Sequence, residues 1–391
     1  ENMINLSNRT STFTDSVIRR MTRVCNQYGA VNLSQGFPDN DPPVELMQRL
    51  EKVAFKGPHQ YSITWGAPKT LEALAKKIEH FSGLKVDPAT QLCITCGGTE
   101  AMMCAVMSTI NPGEKIAIFS PFYENYGADT ILCGATPIYV PLHVPDFSFD
   151  PKELEQAFKD GAKALILCNP SNPSGKVFTR EELLEIARIV EKYDAFVITD
   201  EVYEHIIFEP YHHTYFATLP GMQDRTVMCN SLSKTYSITG WRLGYVCAPA
   251  YVMDRVRKVH DFLTVGAAAP LQEAVIAGLE LPDSYYEGVR KLFTKRKEIF
   301  CKGLDEIGLK YYEPQGTYFV MVDISEFGYE SDLEFCTDLA RDVKVGAVPG
   351  SSFFKDNVQN YMRLHFAKSE ETLKEALHNL SFIREKIKAR K

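Results

Sequence analysis

Several common signatures are missing from this chain. It contains no G-x-x-x-x-G-K-[S/T] phosphate loop and no G-x-G-x-x-G dinucleotide fingerprint. No apolar run reaches the roughly eighteen residues that a membrane-crossing helix needs, so no membrane association is expected. Basic residues are in deficit: 43 Lys and Arg stand against 50 Asp and Glu, a net charge of −7. Phosphate backbones demand a basic footprint, so no nucleic-acid partner is expected. The ten cysteines have no framework spacing. Cys93 and Cys96 form the sole C-x-x-C, in an apolar run and without the second pair of a zinc site; no metal is expected. Glu1-Asn-Met-Ile-Asn5 lacks the basic region and apolar core of a secretory leader. A reducing, cytoplasmic location is therefore expected.

What is present is an ordinary globular composition, 45% hydrophobic and 24% charged over 391 residues, enough for two or three domains. Seven short runs rich in β-branched residues read as strands: 92–95, 115–119, 136–141, 164–168, 195–199, 226–230 and 244–248. Continuous apolar runs suit strands covered on both faces. Helical periods alternate with them. Thr179-Arg-Glu-Glu182 is a capping box, followed by the apolar stripe Leu183, Ile186, Ala187 and Val190. The fold class is thus α/β: a seven-stranded, mostly parallel sheet with helices on both faces. After Gly266 the chain turns helical to about Gly308. Strands at 318–322 and 361–366 and helices at 333–342 and 372–387 then read as a smaller α+β domain. We expect an N-terminal segment at 1–40 packing with the small domain, a large domain at 41–275 and the small domain at 276–391.

In an open α/β sheet, ligands gather at the carboxyl ends of the strands. After the first strand, Gly97-Gly98-Thr99 open a helix, whose free N–H groups suit a phosphate. Next come Pro121-Phe-Tyr-Glu-Asn-Tyr126, with Tyr123 offering a flat ring, and Asn169-Pro-Ser-Asn-Pro-Ser-Gly175. The fifth strand ends at Asp200-Glu-Val-Tyr203, a carboxylate that burial makes costly unless it is paired. The sixth runs into Ser231-Leu-Ser-Lys-Thr-Tyr236, with Arg242 shortly after. Each feature alone is commonplace. In this order they supply phosphate ligands, a stacking ring, an acid for a ring nitrogen, a phenol, an amide and a lysine amine. That set matches a phosphorylated pyridine aldehyde held by lysine as a Schiff base. Ser231-x-x-Lys234 also fits the serine-nucleophile motif of β-lactamases, but the S-D-N and K-T-G companions are missing.

With Ser34-Gln-Gly-Phe-Pro-Asp39 and Tyr361-Met-Arg-Leu-His365 added, nearly the whole chain resembles the class I/II pyridoxal-phosphate aminotransferases of fold type I. The resemblance implies pyridoxal 5′-phosphate as cofactor and Lys234 as its covalent anchor and proton carrier. Asp200 would pair with the pyridine nitrogen, Tyr203 and Asn172 with the ring's 3-oxygen, and Tyr123 with its face. Gly98, Thr99, Ser231, Ser233 and Arg242 would hold the phosphate, with Tyr61 reaching in from a second subunit. Arg363 would grip the substrate α-carboxylate, assisted by Asn172 and the Gly36 backbone. The family implies a homodimer with shared sites.

Thr235-Tyr-Ser-Ile-Thr-Gly-Trp-Arg242 is the pattern of the branch that holds kynurenine, methionine, aromatic and many aspartate aminotransferases. Phe37, Tyr61, Trp65 and Tyr123 would make an aromatic-rich pocket, favouring aromatic or other large neutral amino acids, with 2-oxoglutarate as acceptor. Aspartate preference, and β-elimination from cysteine conjugates, are the alternatives. A third reading, the sensor domain of a DNA-binding regulator, requires an N-terminal DNA-binding domain. About 30 residues precede the first motif, and the chain is acidic.

Overall fold

The computed structural model describes residues 3–391. Its centre is an eight-stranded sheet. In chain order the strands are β1 (Leu92–Thr95), β2 (Lys115–Ser120), β3 (Thr136–His143), β4 (Ser148–Phe149), β5 (Ala162–Cys168), β6 (Phe196–Asp200), β7 (Thr226–Ser231) and β8 (Gly244–Cys247). In space they run β1-β8-β7-β6-β5-β2-β3-β4. All seven expected strands form. The eighth, β4, is a two-residue edge that pairs antiparallel with the end of β3, too short for any alternation to show in the sequence.

One reversal decides where the chemistry can collect. β8 runs antiparallel to both of its neighbours, β1 and β7, whereas β7, β6, β5, β2 and β3 are mutually parallel. The segment 232–243 therefore starts and ends at one edge of the sheet, with Ser231 paired to Gly244. That is also the edge at which β1, β5 and β6 end. Gly244 lies so close to the turn after β1 that an added Cβ would sit 2.5 Å from the Gly97 carbonyl carbon and 2.7 Å from the Gly98 nitrogen. Backbone meets backbone there, and a side chain has no place.

Among the helices, α1 (Val17–Tyr28) is capped by Ser16 and closed by Gly29, at φ 65°. α2 (Gly97–Thr109) follows β1, and α3 (Glu124–Leu132) follows β2. α4 (Arg180–Lys192) carries the expected capping box: the Thr179 hydroxyl accepts from the Glu182 N–H while Glu182 accepts from the Thr179 N–H. α5 (Ala250–Thr264) escaped the sequence reading, which began its helical region only after Gly266. Its buried face is narrow, Val252, Met253, Val256 and His260, and the intervening residues are charged except Val259. α6 (Asp283–Ile307) is the long helix of the C-terminal part.

A second, four-stranded antiparallel sheet is built from β9 (Tyr311–Tyr312), β10 (Phe319–Asp323), β11 (Val348–Pro349) and β12 (Tyr361–His365), ordered β9-β10-β12-β11. The final helix expected at 372–387 is two pieces, Glu370–Leu380 and Ile383–Lys386. Near the N-terminus, Val31–Asn32 pairs in parallel with Val345–Gly346, and the Leu33 carbonyl accepts from the His365 N–H at 3.0 Å. These bonds lay residues 33–40 beside β12. Among the described residues no helix is long and apolar enough to cross a membrane.

Candidate active site

At the carboxyl edge of the large sheet lies a cavity of about 290 Å³. Of the residues expected to bind cofactor or the substrate carboxylate, all but Tyr61 line it: Gly36, Gly98, Thr99, Tyr123, Asn172, Asp200, Tyr203, Ser231, Ser233, Lys234, Arg242 and Arg363. Tyr61 is 88% exposed on the loop before helix Pro68–Ser82 and does not reach the cavity of its own chain. Two further aromatics expected in the pocket are elsewhere. Trp65 packs beneath the Arg257 guanidinium, 4.5 Å from ring to charge, and Phe37 is covered by Lys368 at 4.6 Å. Of the four expected aromatics, Tyr123 alone lines the cavity.

One end of the cavity is an anion cup. Gly97, at φ 78°, turns β1 into α2, and its missing Cβ leaves room for Arg242: a Cβ there would collide with Nη2. The free N–H groups of the first turn and the helix dipole favour negative charge. Arg242 itself takes the left-handed conformation, φ 56°, and donates to the Thr239 carbonyl at 3.1 Å. Ser231 Oγ accepts from the Ser233 N–H at 3.0 Å, while Ser233 Oγ is buried without a partner. An unpaired buried hydroxyl is costly, and a phosphate oxygen would satisfy it.

Beneath this cup is a buried ion pair that the sequence reading missed. Glu100, in the first turn of α2, accepts from the Cys96 N–H at 2.7 Å and faces His260 Nδ1 at 2.6 Å. The other ring nitrogen of His260 lies 2.7 Å from the Thr64 carbonyl. A carbonyl can only accept, so Nε2 carries a proton, and the Glu100 carboxylate invites a second proton onto Nδ1, which favours the imidazolium form. Burial opposes that charge, but the hydrogen bond and the charge of Glu100 outweigh it and raise the His260 pKa. The pair ties the turn after β1 to α5 and to the loop that carries Tyr61. Cys104 adds a thiol 3.5 Å from Glu100, but the ion pair already satisfies the ring.

Lys234 lies mid-cavity and donates to the Gly36 carbonyl at 2.7 Å; the Tyr318 hydroxyl shares that acceptor at 2.8 Å. Asp200 ends β6 and accepts from the Tyr126 hydroxyl at 2.5 Å and from the Val202 N–H at 3.3 Å. The Tyr203 ring is set edge-on against Tyr318, 5.2 Å between centroids. Arg363, on β12, is 1% exposed and sandwiched between the rings of Phe319 and Phe353, at 4.0 and 4.8 Å. Its Nη1 donates to Asn172 Oδ1 at 2.7 Å and its Nη2 to the Ser34 carbonyl at 3.1 Å, while Nε is buried without a partner. Burial lowers its pKa to about 10, so it stays cationic near neutral pH.

Residues 28–380 match the family model for aminotransferase class I and II. The chain belongs to that family. It is 35% identical over 387 residues to a probable N-succinyldiaminopimelate aminotransferase of Mycobacterium tuberculosis, covering 96% of this chain and 97% of the relative. The solved structure of the N-succinyldiaminopimelate aminotransferase from that organism superposes with a TM-score of 0.93 at 35% identity, over 97% of this chain and all of the other. An Escherichia coli methionine aminotransferase is 33% identical over 93% of this chain and 95% of its own length. A Rattus norvegicus kynurenine–oxoglutarate transaminase 3 is 33% identical over 90% of this chain and 84% of its own. The fold is that of the type I enzymes, and the cofactor of this aminotransferase is pyridoxal 5′-phosphate. The residues present fit it: an anion cup with an unpaired hydroxyl, a buried acid, a flat ring and a central amine surround one cavity.

Breaking the Glu100–His260 pair by His260→Gln is expected to cost about 3–5 kcal/mol. Because the folded pKa of His260 is raised, its contribution is fully present below the ordinary histidine value of 6.5 and fades as pH rises through the folded pKa. Urea unfolding of both proteins across pH checks this. A stability difference that stays constant with pH contradicts the imidazolium.

Proposed function

We propose that this aminotransferase moves the amino group of a neutral L-amino acid, aromatic or otherwise large, to a 2-oxo acid such as 2-oxoglutarate, in two half-reactions that share one site. The observation that carries the reading is the convergence of Lys234, Asp200, Arg242 and Arg363 on a single cavity. Bound pyridoxal phosphate supplies an aldehyde that captures amines and a pyridinium ring that accepts the electron pair left by a departing α-proton.

This chain's residues do the rest. Gly98, Thr99, Ser231, Ser233 and Arg242 would bind the phosphate, and Tyr123 would stack on the ring. Asp200 would pair with the pyridine nitrogen, and Tyr203 and Asn172 would donate to the 3-oxygen. Lys234 would anchor the cofactor, and its amine would carry the substrate's α-proton during the exchange. Arg363 receives the substrate α-carboxylate. Its guanidinium is pre-oriented by Asn172, Ser34 and the two flanking rings, so little freedom is lost on binding.

Charge accounting favours a neutral substrate side chain. The cations lining the cavity are Lys234, Arg242 and Arg363, and each is already committed. No cation lining the cavity, among the described residues, is left for a second carboxylate. Ile18, Phe319 and Tyr123 offer apolar surface instead. Gln35 and Asn125 also line the cavity and are the neutral amides available to the distal carboxylate of 2-oxoglutarate. The kynurenine–oxoglutarate and methionine relatives bear names consistent with such donors.

A homodimer accompanies this reading. Tyr61 and Phe262 are 88% and 90% exposed, on segments joined by the His260–Thr64 bond. Large apolar side chains standing free together suit an interface, and a second copy would carry Tyr61 toward its neighbour's phosphate cup.

Three measurements check these proposals. Borohydride reduction of the cofactor-loaded enzyme should add the reduced cofactor's mass to the peptide containing Lys234. Lys234→Ala should lose that adduct and at least about 1,000-fold in turnover; wild-type turnover by the variant refutes the assignment. In a donor screen with 2-oxoglutarate, phenylalanine, methionine or kynurenine should exceed aspartate in kcat/KM by about tenfold or more, the effect of one missing charge-assisted hydrogen bond. Aspartate equal to the best neutral donor excludes the neutral preference. Analytical ultracentrifugation should give a dimer, and a fully active monomer rules out the shared site.

A further inference from the structure

Asp200 can serve the proposed role only as a carboxylate, yet it sits where a carboxylate is hard to keep. Burial pushes its pKa up, and the neighbouring Glu201 pushes the same way. Lys234 pulls in the other direction, but its amine is engaged by the Gly36 carbonyl and forms no ion pair with Asp200. The carboxylate is touched by the Tyr126 hydroxyl, 2.5 Å from Oδ2, and by the Val202 N–H, 3.3 Å from Oδ1. The first is the shorter and better placed.

Tyr126 is itself 2% exposed, and burial together with the charge of Asp200 keeps its proton on. It is therefore the donor in this bond. Its position is also fixed by the helix. Tyr123 caps α3, Tyr126 lies three residues on, and the Tyr126 N–H donates to the Tyr123 carbonyl at 3.1 Å. The two rings meet edge to face, centroids 5.7 Å apart and planes 81° from one another. One helical turn thus carries both the ring that faces the cavity and the hydroxyl that holds the acid.

We propose that Tyr126 is a positioning residue of the transamination: its hydroxyl fixes Asp200 in the ionised state and in one orientation, so that the acid's remaining lone pairs face the cofactor's ring nitrogen. This rests on the reading of Asp200 given above. Tyr126 also borders the cavity, and its role in this proposal is exerted through Asp200. The competing explanation is that a buried tyrosine has merely found an acceptor for its own O–H.

The two are separated by a double-mutant cycle on the cofactor-loaded enzyme, using Tyr126→Phe, Asp200→Asn and the pair. Phenylalanine keeps the ring and its packing. Three quantities are read: kcat with the best donor, the cofactor dissociation constant, and the pH midpoint of the bound cofactor's absorption change. Tyr126→Phe should lower kcat by about tenfold, the loss of a hydrogen bond to a charged group, with KM for the donor changed less than about twofold. It should also move the absorption midpoint in the same direction as Asp200→Asn, by less. In the Asp200→Asn background the same change should have less than about a twofold effect on kcat. Equal losses in both backgrounds, or an unmoved midpoint, overturn the proposal and leave Tyr126 as packing. If Asp200→Asn alone alters neither the cofactor affinity nor the midpoint, the reading of Asp200 fails, and this inference with it.

Discussion

The close approach of Gly244 to Gly97 and Gly98 is the contact on which the rest of the site depends. An antiparallel strand returns against two neighbours and brings its first residue into van der Waals contact with the turn after β1. That one fit has two effects. Arg242 is delivered over Gly97, where a Cβ on that glycine would collide with the guanidinium. Lys234, in the segment between β7 and β8, is confined to the sheet edge where Asp200 and Asn172 also emerge. Glycine is required here for closeness, and at Gly97 also for its φ of 78°.

Around that edge the protein buries charge in matched arrangements. Glu100 neutralises His260, and Arg363 is held by two neutral oxygens and two aromatic faces. Each arrangement fixes geometry as much as energy, because a buried charge tolerates few alternative partners. Arg363 keeps one buried nitrogen unpaired, and Ser233 keeps one hydroxyl. Unsatisfied donors beside a cavity suit anionic ligands, in keeping with the proposed phosphate at one end and carboxylate at the other.

Much of this was legible in the sequence, for a physical reason. Strands covered on both faces must be continuously apolar, so all seven long ones stand out, and the residues just past the parallel strands gather at one edge of the sheet. Twelve of the thirteen sequence-predicted site residues accordingly line one cavity. The failures share a cause too. The pocket aromatics Phe37 and Trp65 were chosen for residue type, and nothing local says that Trp65 turns under Arg257. Helix α5 was overlooked because its buried stripe is narrow. Tyr126, Ser34, Tyr318, Phe353 and the Glu100–His260 pair act through partners far away in the chain. Nearby motifs offered a signal for two of them, Ser34 at the head of Ser34-Gln-Gly-Phe-Pro-Asp39 and Tyr126 as the second tyrosine of Pro121-Phe-Tyr-Glu-Asn-Tyr126.

The sequence by itself determined the α/β class, the order of the strand-end motifs and, through their resemblance, the cofactor. Those come from local periodicity and from residue types in a fixed order. Tertiary structure alone decided that β8 runs backward, that residues 33–40 lie beside β12, and that Arg363 meets Asn172 across 191 positions of chain. Strand direction and long-range pairing are settled by which surfaces bury one another, and a linear pattern carries no record of that choice.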